Sequence, residues 1–459
     1  LAGATEYVWS RERAPAVDVD EGAPAWYDPT PVVDVSEYET WGEVVAWAAP
    51  LYARPAALPY ELAQQVETWR AAATLEARVA AAARFVQDEI RYTGIELGPG
   101  SYRPADPATV LARRFGDCKD KSLLLATALG ALGVEAAPAL VSLERGRALP
   151  EAQPSPLAFD HCIVRAEVDG RVYWIDPTIQ LQRGDLTRHR NPDYGSALVV
   201  AEGVTALEAI GGGREGDGEP TTVAAEVYPL EGDRARLEAV TTYSGADADE
   251  MRYVLAQTSL EDLGREGLAY YGGAFGRIEQ AAPPEVEDDQ AGNRVRITER
   301  YRIEDFWEDG ARILAADRVA EVLPASRGAL RAEPVAVAHP VDVAHSIEVR
   351  AAEPIRVDEA SATLEDEALR FSYRAATTGD GALRLEFRYR TIADHVAASH
   401  AADHRATVRK IRKRLDYTLR REDVGGGPSR AALLAAPVLG AGALLIAALF
   451  ALRRRAGRQ

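Results

Sequence analysis

The chain has 459 residues, of which 47% are hydrophobic and 27% are charged, and this composition is typical of a globular protein. A length of this size predicts roughly three domains. The formal net charge of −18 argues against nucleic acid as a partner, and two cysteines exclude a disulfide-rich scaffold. The chain starts at Leu1 without a signal segment, so we expect the N-terminus to be trimmed or incomplete.

The N-terminal part of the chain leads into a helical region. Residues 1–55 are rich in Pro, Trp and Tyr and contain short alternating runs, and we interpret them as the remnant of a β-rich domain whose start is missing. Two helices are predicted next, over about 60–71 and 74–91, with Thr74 as the N-cap of the second. A loop rich in Gly and Pro then leads to a short helix at 107–113.

The stretch RFGDCKDKSLLLATALGALG carries the strongest signal for chemistry. Its apolar positions predict a buried helix, with Asp117 as N-cap and Gly133 as C-terminal stop. Cys118 then lies in the first turn, where free N–H groups and the helix dipole favour an anion. A thiolate at such a position is nucleophilic near neutral pH. The alternative is a small buried residue of a core helix.

A β-hairpin is predicted after this helix. Strands at 160–168 and 171–176 are joined by a two-residue Asp-Gly turn, which is a strong hairpin signal. His161 lies on the first strand and Asp176 ends the second. Adjacent antiparallel strands place such side chains next to each other, so we expect an imidazole and a carboxylate to meet here.

A cysteine at a helix N-terminus, a histidine on a strand and an aspartate on the next strand together suit the activation of a thiol. The base takes the thiol proton, and the carboxylate fixes the imidazole tautomer and stabilises the imidazolium. We therefore predict Cys118, His161 and Asp176 as catalytic residues. The backbone N–H of Cys118 is the expected donor to the oxyanion of a tetrahedral intermediate.

Four sequence blocks carry a family resemblance. QDEIRYTGIELGPGSYRP, RFGDCKDKSLLLATAL, FDHCIV and YWIDPT, in this order and spacing, resemble the transglutaminase-like core of the papain-like superfamily. The chain is similar to bacterial membrane-anchored proteins in which this core follows a β-rich domain of unknown function. Residues 36–52 resemble the end of that preceding domain. The resemblance covers residues 36–205 well and the C-terminal domain loosely.

The resemblance also implies functional residues. The catalytic triad of the family falls on Cys118, His161 and Asp176 without a substitution. Its upstream aromatic oxyanion donor falls near Tyr92. The calcium-binding features of animal transglutaminases are not recognisable, so we expect no metal and no cofactor.

Two features near the predicted triad allow other interpretations. In an extracytoplasmic protein Cys118 and Cys162 could form a disulfide. However, His161 and Cys162 are neighbours on a strand and point to opposite faces, so we expect Cys162 to face away as a buried apolar filler. The charged residues 119–121 could tune the thiolate, or they could cap and solvate the helix start, and we favour this structural role.

The C-terminal half is predicted to be rich in strands. Residues 211–221 form a Gly-rich linker, and residues 222–424 alternate in strand fashion, which indicates a sandwich-like β domain. A helix at about 246–271 interrupts this domain, and another at about 397–415 ends it. His400 and His404, with His395 nearby, could be metal ligands, but we favour a solvated helix face.

The end of the chain predicts a membrane anchor. After a linker at 425–430, residues 431–452 form a run of 22 residues without a charge, which is long enough to span a bilayer. Residues 453–459 are basic, so we expect a cytoplasmic tail and an extracytoplasmic body. The basic run at 405–414 is interpreted as a patch that faces anionic head groups.

These features together predict an α+β protein with a papain-like, transglutaminase-like catalytic core at 56–210, a β-rich C-terminal domain and a transmembrane helix. The expected function is acyl transfer or amide hydrolysis on envelope peptides or proteins through a thioester. The alternative is a non-catalytic peptide-binding or assembly module of the cell envelope, although such a module has no need for an intact triad.

Overall fold

The structure, a computed structural model, describes residues 6–13, 22–94, 98–211, 219–324 and 333–425. These residues form helices and large β sheets, which confirms the predicted α+β class. A five-stranded sheet lies in the N-terminal half, and an eight-stranded sheet lies in the C-terminal half. The domain boundaries drawn from the sequence stay a prediction.

The regular elements of the described residues are numbered in chain order. The helices are α1 Trp41–Ala48, α2 Tyr60–Arg70, α3 Leu75–Glu89, α4 Pro107–Arg113, α5 Cys118–Ala131, α6 Ala246–Leu255, α7 Leu260–Phe275, α8 Asp317–Val322 and α9 Ala401–Arg412. The strands are β1 Arg91–Tyr92, β2 Phe115–Gly116, β3 Glu135–Val141, β4 His161–Val168, β5 Arg171–Ile175, β6 Ser196–Val199, β7 Glu208–Ala209, β8 Thr222–Glu231, β9 Arg234–Ser244, β10 Ile278–Asp289, β11 Arg294–Ile303, β12 Ala311–Ala315, β13 Val335–Ala336, β14 Asp342–Arg350, β15 Ala360–Glu365, β16 Leu369–Thr377, β17 Leu383–Thr391, β18 His395–Val396 and β19 Asp416–Arg420.

Helix α5 is the centre of the N-terminal half. It packs against strands β3 and β4 of an antiparallel sheet with the order β5-β4-β3-β6-β7. Its residues Leu124, Leu125 and Leu129 are fully buried among the apolar side chains of α2 and α3. Because this apolar surface is removed from water on both sides, the start of α5 is held firmly against the start of β4.

The predicted hairpin is confirmed as strands β4 and β5. Val168 pairs with Arg171, and the two turn residues, Asp169 and Gly170, have φ angles of 51° and 78°. Positive φ at both positions matches the twist of a two-residue hairpin, which explains why an Asp-Gly pair stands there. In this register Ile175, the last residue of β5, pairs with Val164, so the residues just after β5 come beside the first residues of β4.

The C-terminal half is built on one sheet of eight strands, in the order β10-β11-β9-β8-β14-β17-β16-β15, and it also contains the strand pairs β12-β19 and β13-β18. The sandwich-like form expected from the sequence is therefore wrong. Helices α7, α8 and α9 cover one apolar face of the sheet. Side chains of the other face form ion pairs such as Arg300–Glu238 and Arg384–Glu348, and a charged face gives no surface for a second sheet to bury.

The helix predicted at about 246–271 is wrong as a single element, because the structure has α6 and α7 in its place. The chain breaks before Ser259, whose hydroxyl accepts a hydrogen bond of 3.1 Å from the backbone N–H of Asp262. This N-cap starts a new helix in the middle of an amphipathic stretch. The helix predicted at about 397–415 is confirmed as α9 with a short 3₁₀ turn before it.

Residues 22–55 differ from the β-rich remnant that the sequence predicted. They contain helix α1 and no strand. Val44, Val45 and Tyr52 are buried in the same apolar cluster as Cys118. This segment therefore forms one wall of the region around the cysteine.

The histidines considered as metal ligands bind carboxylates instead. His400 Nδ1 lies 2.5 Å from Glu367, and His404 Nδ1 lies 2.8 Å from Asp366. His404 is buried, so the solvated helix face expected there is wrong for this residue. The described residues contain no cluster of His, Cys, Asp and Glu that could hold a metal ion.

The membrane span predicted at 431–452 and the basic tail at 453–459 lie outside the described residues. Among the residues that the structure does describe, no helix is both long and apolar enough to cross a bilayer. The membrane anchor, its orientation and the membrane-facing role of residues 405–414 stay predictions.

Replacing two glycines of α7 by alanine is expected to change the unfolding free energy in opposite directions. A Cβ at Gly267 would overlap the Glu299 carboxylate and the Tyr301 hydroxyl, whereas a Cβ at Gly273 would meet no atom within 4 Å. We expect Gly267→Ala to lower the unfolding free energy by about 1–3 kcal/mol through overpacking. Gly273→Ala should raise it by roughly 0.5–1 kcal/mol, because alanine favours a helix. Urea denaturation of both variants measures this, and equal effects would contradict the close packing of α7 on the sheet.

Candidate active site

Cys118 is the first residue of α5, as the sequence predicted. The carboxylate of Asp117 caps the helix by accepting hydrogen bonds from the N–H groups of Lys119 and Asp120, at 2.9 and 3.1 Å. The N–H of Cys118 makes no hydrogen bond within the described part of the chain, so it is free to donate to a substrate oxygen. The Cys118 side chain is only 3% exposed.

His161 and Asp176 meet at the ends of β4 and β5. His161 Nε2 lies 2.9 Å from Asp176 Oδ2, and both side chains are less than a tenth exposed. The other carboxylate oxygen accepts hydrogen bonds from the N–H and hydroxyl of Thr178, at 2.8 and 2.7 Å. These contacts fix the plane of the carboxylate and, through it, the orientation of the imidazole.

Cys118 and His161 line the same cleft, and the sulfur is close enough to the imidazole to raise the pKa of the ring. Because Nε2 is engaged by Asp176, Nδ1 is the ring nitrogen that remains for the sulfur. Burial of the ring disfavours its charged form, but the charge and hydrogen bond of Asp176, together with Cys118, outweigh this and raise the pKa of His161 to about 10. The raised pKa therefore favours the imidazolium form of His161 beside the carboxylate.

Asp176 remains ionised although it is buried. Burial by itself would raise the pKa of its carboxyl group, but the charge of His161 and the hydrogen bonds from His161, Tyr194 and Thr178 hold that pKa down at about 2. A carboxylate with this many donors acts as a permanent negative charge behind the imidazole.

Tyr194 is a residue of this site that the sequence did not indicate. Its hydroxyl donates a 2.5 Å hydrogen bond to Asp176 Oδ2, the same oxygen that faces His161. Its ring lies 5.7 Å from the His161 ring, centroid to centroid, and is almost fully buried. Tyr194 therefore positions both members of the pair.

Lys121 is the most buried charge of the charged run at 119–121, which was expected to cap and solvate the helix start. Its ammonium donates to the carbonyl oxygens of Ile90 at 2.6 Å and Gln87 at 3.3 Å. Burial lowers the pKa of Lys121 to about 8, against the attraction of Asp176 and Asp88. The solvation expected for this run is wrong, since all three of its side chains are buried.

Gln87 joins helix α3 to the same group of residues. Its amide Nε2 donates to the backbone oxygen of Asp176 at 3.0 Å and to Gln182 at 2.9 Å. The segment that carries the aspartate is thus anchored through its backbone as well as through its side chain.

The cleft above the sulfur has a volume of about 490 Å³, its open mouth included. Most of its walls are aromatic and apolar: it is lined by Trp47, Tyr52, Ser101, Tyr102, Cys118, Lys119, Leu140, Pro156, Phe159, Asp160, His161 and Cys162. The rings of Trp47 and Tyr102 make an edge contact at 5.4 Å. A cleft of this kind suits apolar or aromatic side chains of a peptide.

Cys162 does not face away from Cys118 as the sequence suggested. It lines the same cleft and belongs to the same buried apolar cluster. Both thiols are free, so the structure has no disulfide between them. Burial, together with the nearby charge of Cys118, raises the pKa of the Cys162 thiol, which leaves it protonated and unreactive.

Tyr92, the residue onto which the family's aromatic oxyanion donor falls, lies in β1 and pairs with Gly116 of β2, two residues before Cys118. Its side chain is 45% exposed, and it is not among the described residues that line the cleft. Its role as an oxyanion donor stays a prediction.

Comparison with known proteins adds information about the fold. No family of known proteins matches the sequence, and no curated protein matches it. A solved structure with a similar fold is that of a putative protease from Parabacteroides distasonis ATCC 8503, with a TM-score of 0.50 and 11% sequence identity. The similarity covers 83% of this chain and 59% of that one. At this identity the likeness concerns the fold alone.

The arrangement can carry out a definite kind of chemistry. A sulfur next to an imidazolium, with a buried carboxylate behind the ring, is a nucleophile that is already paired with its acid. The free N–H of Cys118 at the start of α5 adds a donor for developing negative charge. None of these groups requires a metal or a cofactor for that step.

The pair of His161 and Asp176 predicts a pH-dependent stability. The lowered pKa of Asp176 makes its contribution present above about pH 4 and lost as the pH falls toward 2. The raised pKa of His161 makes its contribution complete below about pH 6.5 and lost as the pH rises through 10. The loss of unfolding free energy in His161→Gln should therefore peak, at about 3–5 kcal/mol, between these limits. Urea denaturation across this range measures the loss, and a constant loss from pH 4 to 10 would refute the pairing.

Proposed function

We propose that the protein is a transglutaminase-like cysteine enzyme of the cell envelope, which performs amide hydrolysis or acyl transfer through a thioester. The observation that carries this proposal is that Cys118 and His161 line one cleft, while Asp176 lies 2.9 Å from the His161 ring. The similar fold of a structure described as a putative protease agrees with it. The alternative, a peptide-binding module, does not explain why the His161 imidazole lies beside Cys118 in the cleft and is bound by the buried Asp176 carboxylate.

In the proposed reaction the Cys118 sulfur attacks a substrate carbonyl carbon. The carbonyl oxygen becomes an oxyanion and accepts a hydrogen bond from the N–H of Cys118. His161 then gives its proton to the departing amine as the C–N bond breaks, and a thioester remains. Water or a second amine then gives a proton to His161 and attacks the thioester carbonyl carbon. The C–S bond breaks, the acyl product leaves, and the Cys118 thiolate is restored beside the His161 imidazolium.

The substrate and the cellular location belong to the same proposal. The aromatic lining of the cleft supports a peptide or protein substrate with apolar side chains beside the reacting carbonyl. The uncharged run at 431–452, followed by arginines, supports a membrane-anchored body outside the cytoplasm. Envelope peptides or proteins are thus the proposed substrates.

Selective alkylation tests the proposal. Iodoacetamide at pH 6 should label Cys118 in the native protein and should label Cys162 only after unfolding. An ordinary thiol, with a pKa of about 8.5, is less than about 1% ionised at that pH, so rapid labelling requires a stabilised thiolate. Peptide mass spectrometry assigns the label.

Two variants control this labelling experiment. Cys162→Ala should keep the labelling rate of the native protein, and Cys118→Ala should abolish the label. Equal and slow labelling of both thiols in the native protein would contradict the assignment of Cys118 as the nucleophile. It would favour the alternative function, a peptide-binding module.

A further inference from the structure

A second cavity lies in the C-terminal half, away from the candidate active site. It has a volume of about 650 Å³, its opening included, and lies between strands β9 and β11 on one side and helices α6, α7 and α8 on the other. Neither the triad nor the cleft beside it uses any residue of this cavity.

One part of the cavity is apolar. Met251 of α6, Leu263 of α7 and Ile297 of β11 are each less than a tenth exposed and pack in one cluster. Such a surface gains free energy by covering an aliphatic or aromatic side chain.

Arg318 brings a positive charge to the cavity. Its side chain is 15% exposed, and its guanidinium carbon lies 5.8 Å from the centre of the Tyr270 ring. Its ion-pair partner is Glu321, and this contact is a loose one of 3.3 Å through the single nitrogen Nη1. Within the described ranges Nε and Nη2 make no hydrogen bond, so the planar fork that suits a carboxylate remains available.

Glu299 brings a negative charge to the same cavity. One of its oxygens accepts a 2.7 Å hydrogen bond from Tyr301, and the other has no hydrogen-bond partner among the described residues. Arg318 and Glu299 influence each other electrostatically, yet they are not in ion-pair contact. These two half-buried opposite charges face one cavity without pairing with each other, and this arrangement favours a ligand that bridges them.

The walls of the cavity are held in place before any ligand binds. Arg252 of α6 binds Asp249 at 2.9 Å, Asn293 at 2.6 Å and Asp288 at 2.8 Å. Gly267 lets α7 approach the sheet closely beside Glu299. A preformed site loses less free energy on binding than a flexible one.

We propose that this cavity binds a small zwitterion with an apolar side chain, of the class of free α-amino acids and dipeptides. Its carboxylate pairs with Arg318, its ammonium group pairs with Glu299, and its side chain packs against Met251, Leu263 and Ile297. A ligand of this class pairs with Glu299 and with the nitrogens of Arg318 that Glu321 does not use, and it covers the apolar wall at once. The proposal is independent of the thiol chemistry at Cys118.

Isothermal titration calorimetry on the purified full chain tests this proposal with five probes. L-leucine and L-leucyl-L-leucine carry both charges, N-acetyl-L-leucine lacks the ammonium group, L-leucinamide lacks the carboxylate, and glycine lacks the side chain. We expect at least one of the two complete zwitterions to bind saturably at one site. Each of the three incomplete probes should bind at least about tenfold more weakly.

Variants assign each charge to a residue. Glu299→Gln should remove the preference for L-leucine over N-acetyl-L-leucine, and Arg318→Gln should remove the preference for L-leucine over L-leucinamide. Arg277→Gln is the matched control, because Arg277 forms an exposed ion pair with Asp305 in the same half of the chain and should leave binding unchanged.

Three results would overturn the proposal. The first is the absence of saturable binding by L-leucine and L-leucyl-L-leucine up to millimolar concentration. The second is equal binding of L-leucine, N-acetyl-L-leucine, L-leucinamide and glycine. The third is that folded Glu299→Gln and Arg318→Gln both keep the preferences of the native chain among these probes. If a variant fails to fold, the series of five probes on the native chain decides alone.

Discussion

Replacing His161 by alanine is expected to lower the rate of acylation at Cys118 by roughly 10⁴-fold or more. The imidazole lines the cleft beside the sulfur and is oriented by Asp176, so its removal takes away both the proton acceptor and the cation that stabilises a thiolate. Single-turnover kinetics with a p-nitrophenyl ester of an apolar acyl group measures the loss. Iodoacetamide labelling at pH 6 should disappear in the same variant.

The matched control is His189→Ala. His189 lies in the same half of the chain but does not line the cleft, and its ring nitrogens have no hydrogen-bond partner within the described part of the chain. Acylation should be unchanged in this variant. If His161→Ala also left labelling and acylation unchanged, the imidazole would not serve the sulfur, and the enzyme hypothesis would fail.

Asp176→Asn is expected to have the second largest effect, smaller than that of Cys118→Ala. Asparagine has the same shape, so the fold should persist, but it lacks the negative charge behind the imidazolium and allows the wrong tautomer of His161. We expect acylation to fall by roughly 10²–10⁴-fold. Tyr194→Phe removes one of the hydrogen bonds to the same carboxylate, and its effect should be smaller than that of Asp176→Asn.

The acylation rate of the double variant His161→Ala/Asp176→Asn shows whether the two residues act as a unit or contribute to the reaction independently. Because the carboxylate acts through the imidazole, the double variant should be about as slow as His161→Ala alone. Losses that multiply would show that Asp176 acts on the reaction by another route. Circular dichroism of each variant establishes that the fold is kept.

Local signals explain why much of the candidate site could be predicted from the sequence. The capping residue Asp117 fixes where α5 begins and therefore where Cys118 lies. The Asp-Gly turn fixes the register of β4 and β5 and brings His161 close to Asp176. Each of these features depends on residues that are close together in the chain, and short-range patterns report such features well.

The parts that could not be predicted depend on contacts between distant segments. Tyr194 follows Asp176 by 18 positions in a loop without periodicity, so nothing marks it as a partner. Lys121 looks like a solvated residue of a first helical turn, but carbonyl oxygens at the end of α3 enclose it. Cys162 obeys strand alternation relative to His161, yet the cleft lies at the end of β4, where residues from both faces of the strand reach its lining.

Larger errors arose where a pattern fits two arrangements. The alternating apolar and polar residues at 222–424 fit either a sandwich or a single sheet covered by helices. Which of the two forms depends on whether neighbouring strands place charged side chains on the same face of the sheet. The amphipathic stretch at 246–271 fits one helix or two, and the N-cap at Ser259 decides. Both depend on details that hydrophobic periodicity does not contain.

The most direct test of the central claim is mass spectrometry of the Cys118 peptide after a brief incubation with a peptide p-nitrophenyl ester at neutral pH. We expect the acyl group to appear on Cys118, to be released by hydroxylamine as a thioester is, and to be absent from Cys118→Ala. Release of p-nitrophenol without an acyl group on Cys118, or an acyl group that remains in Cys118→Ala, would contradict it.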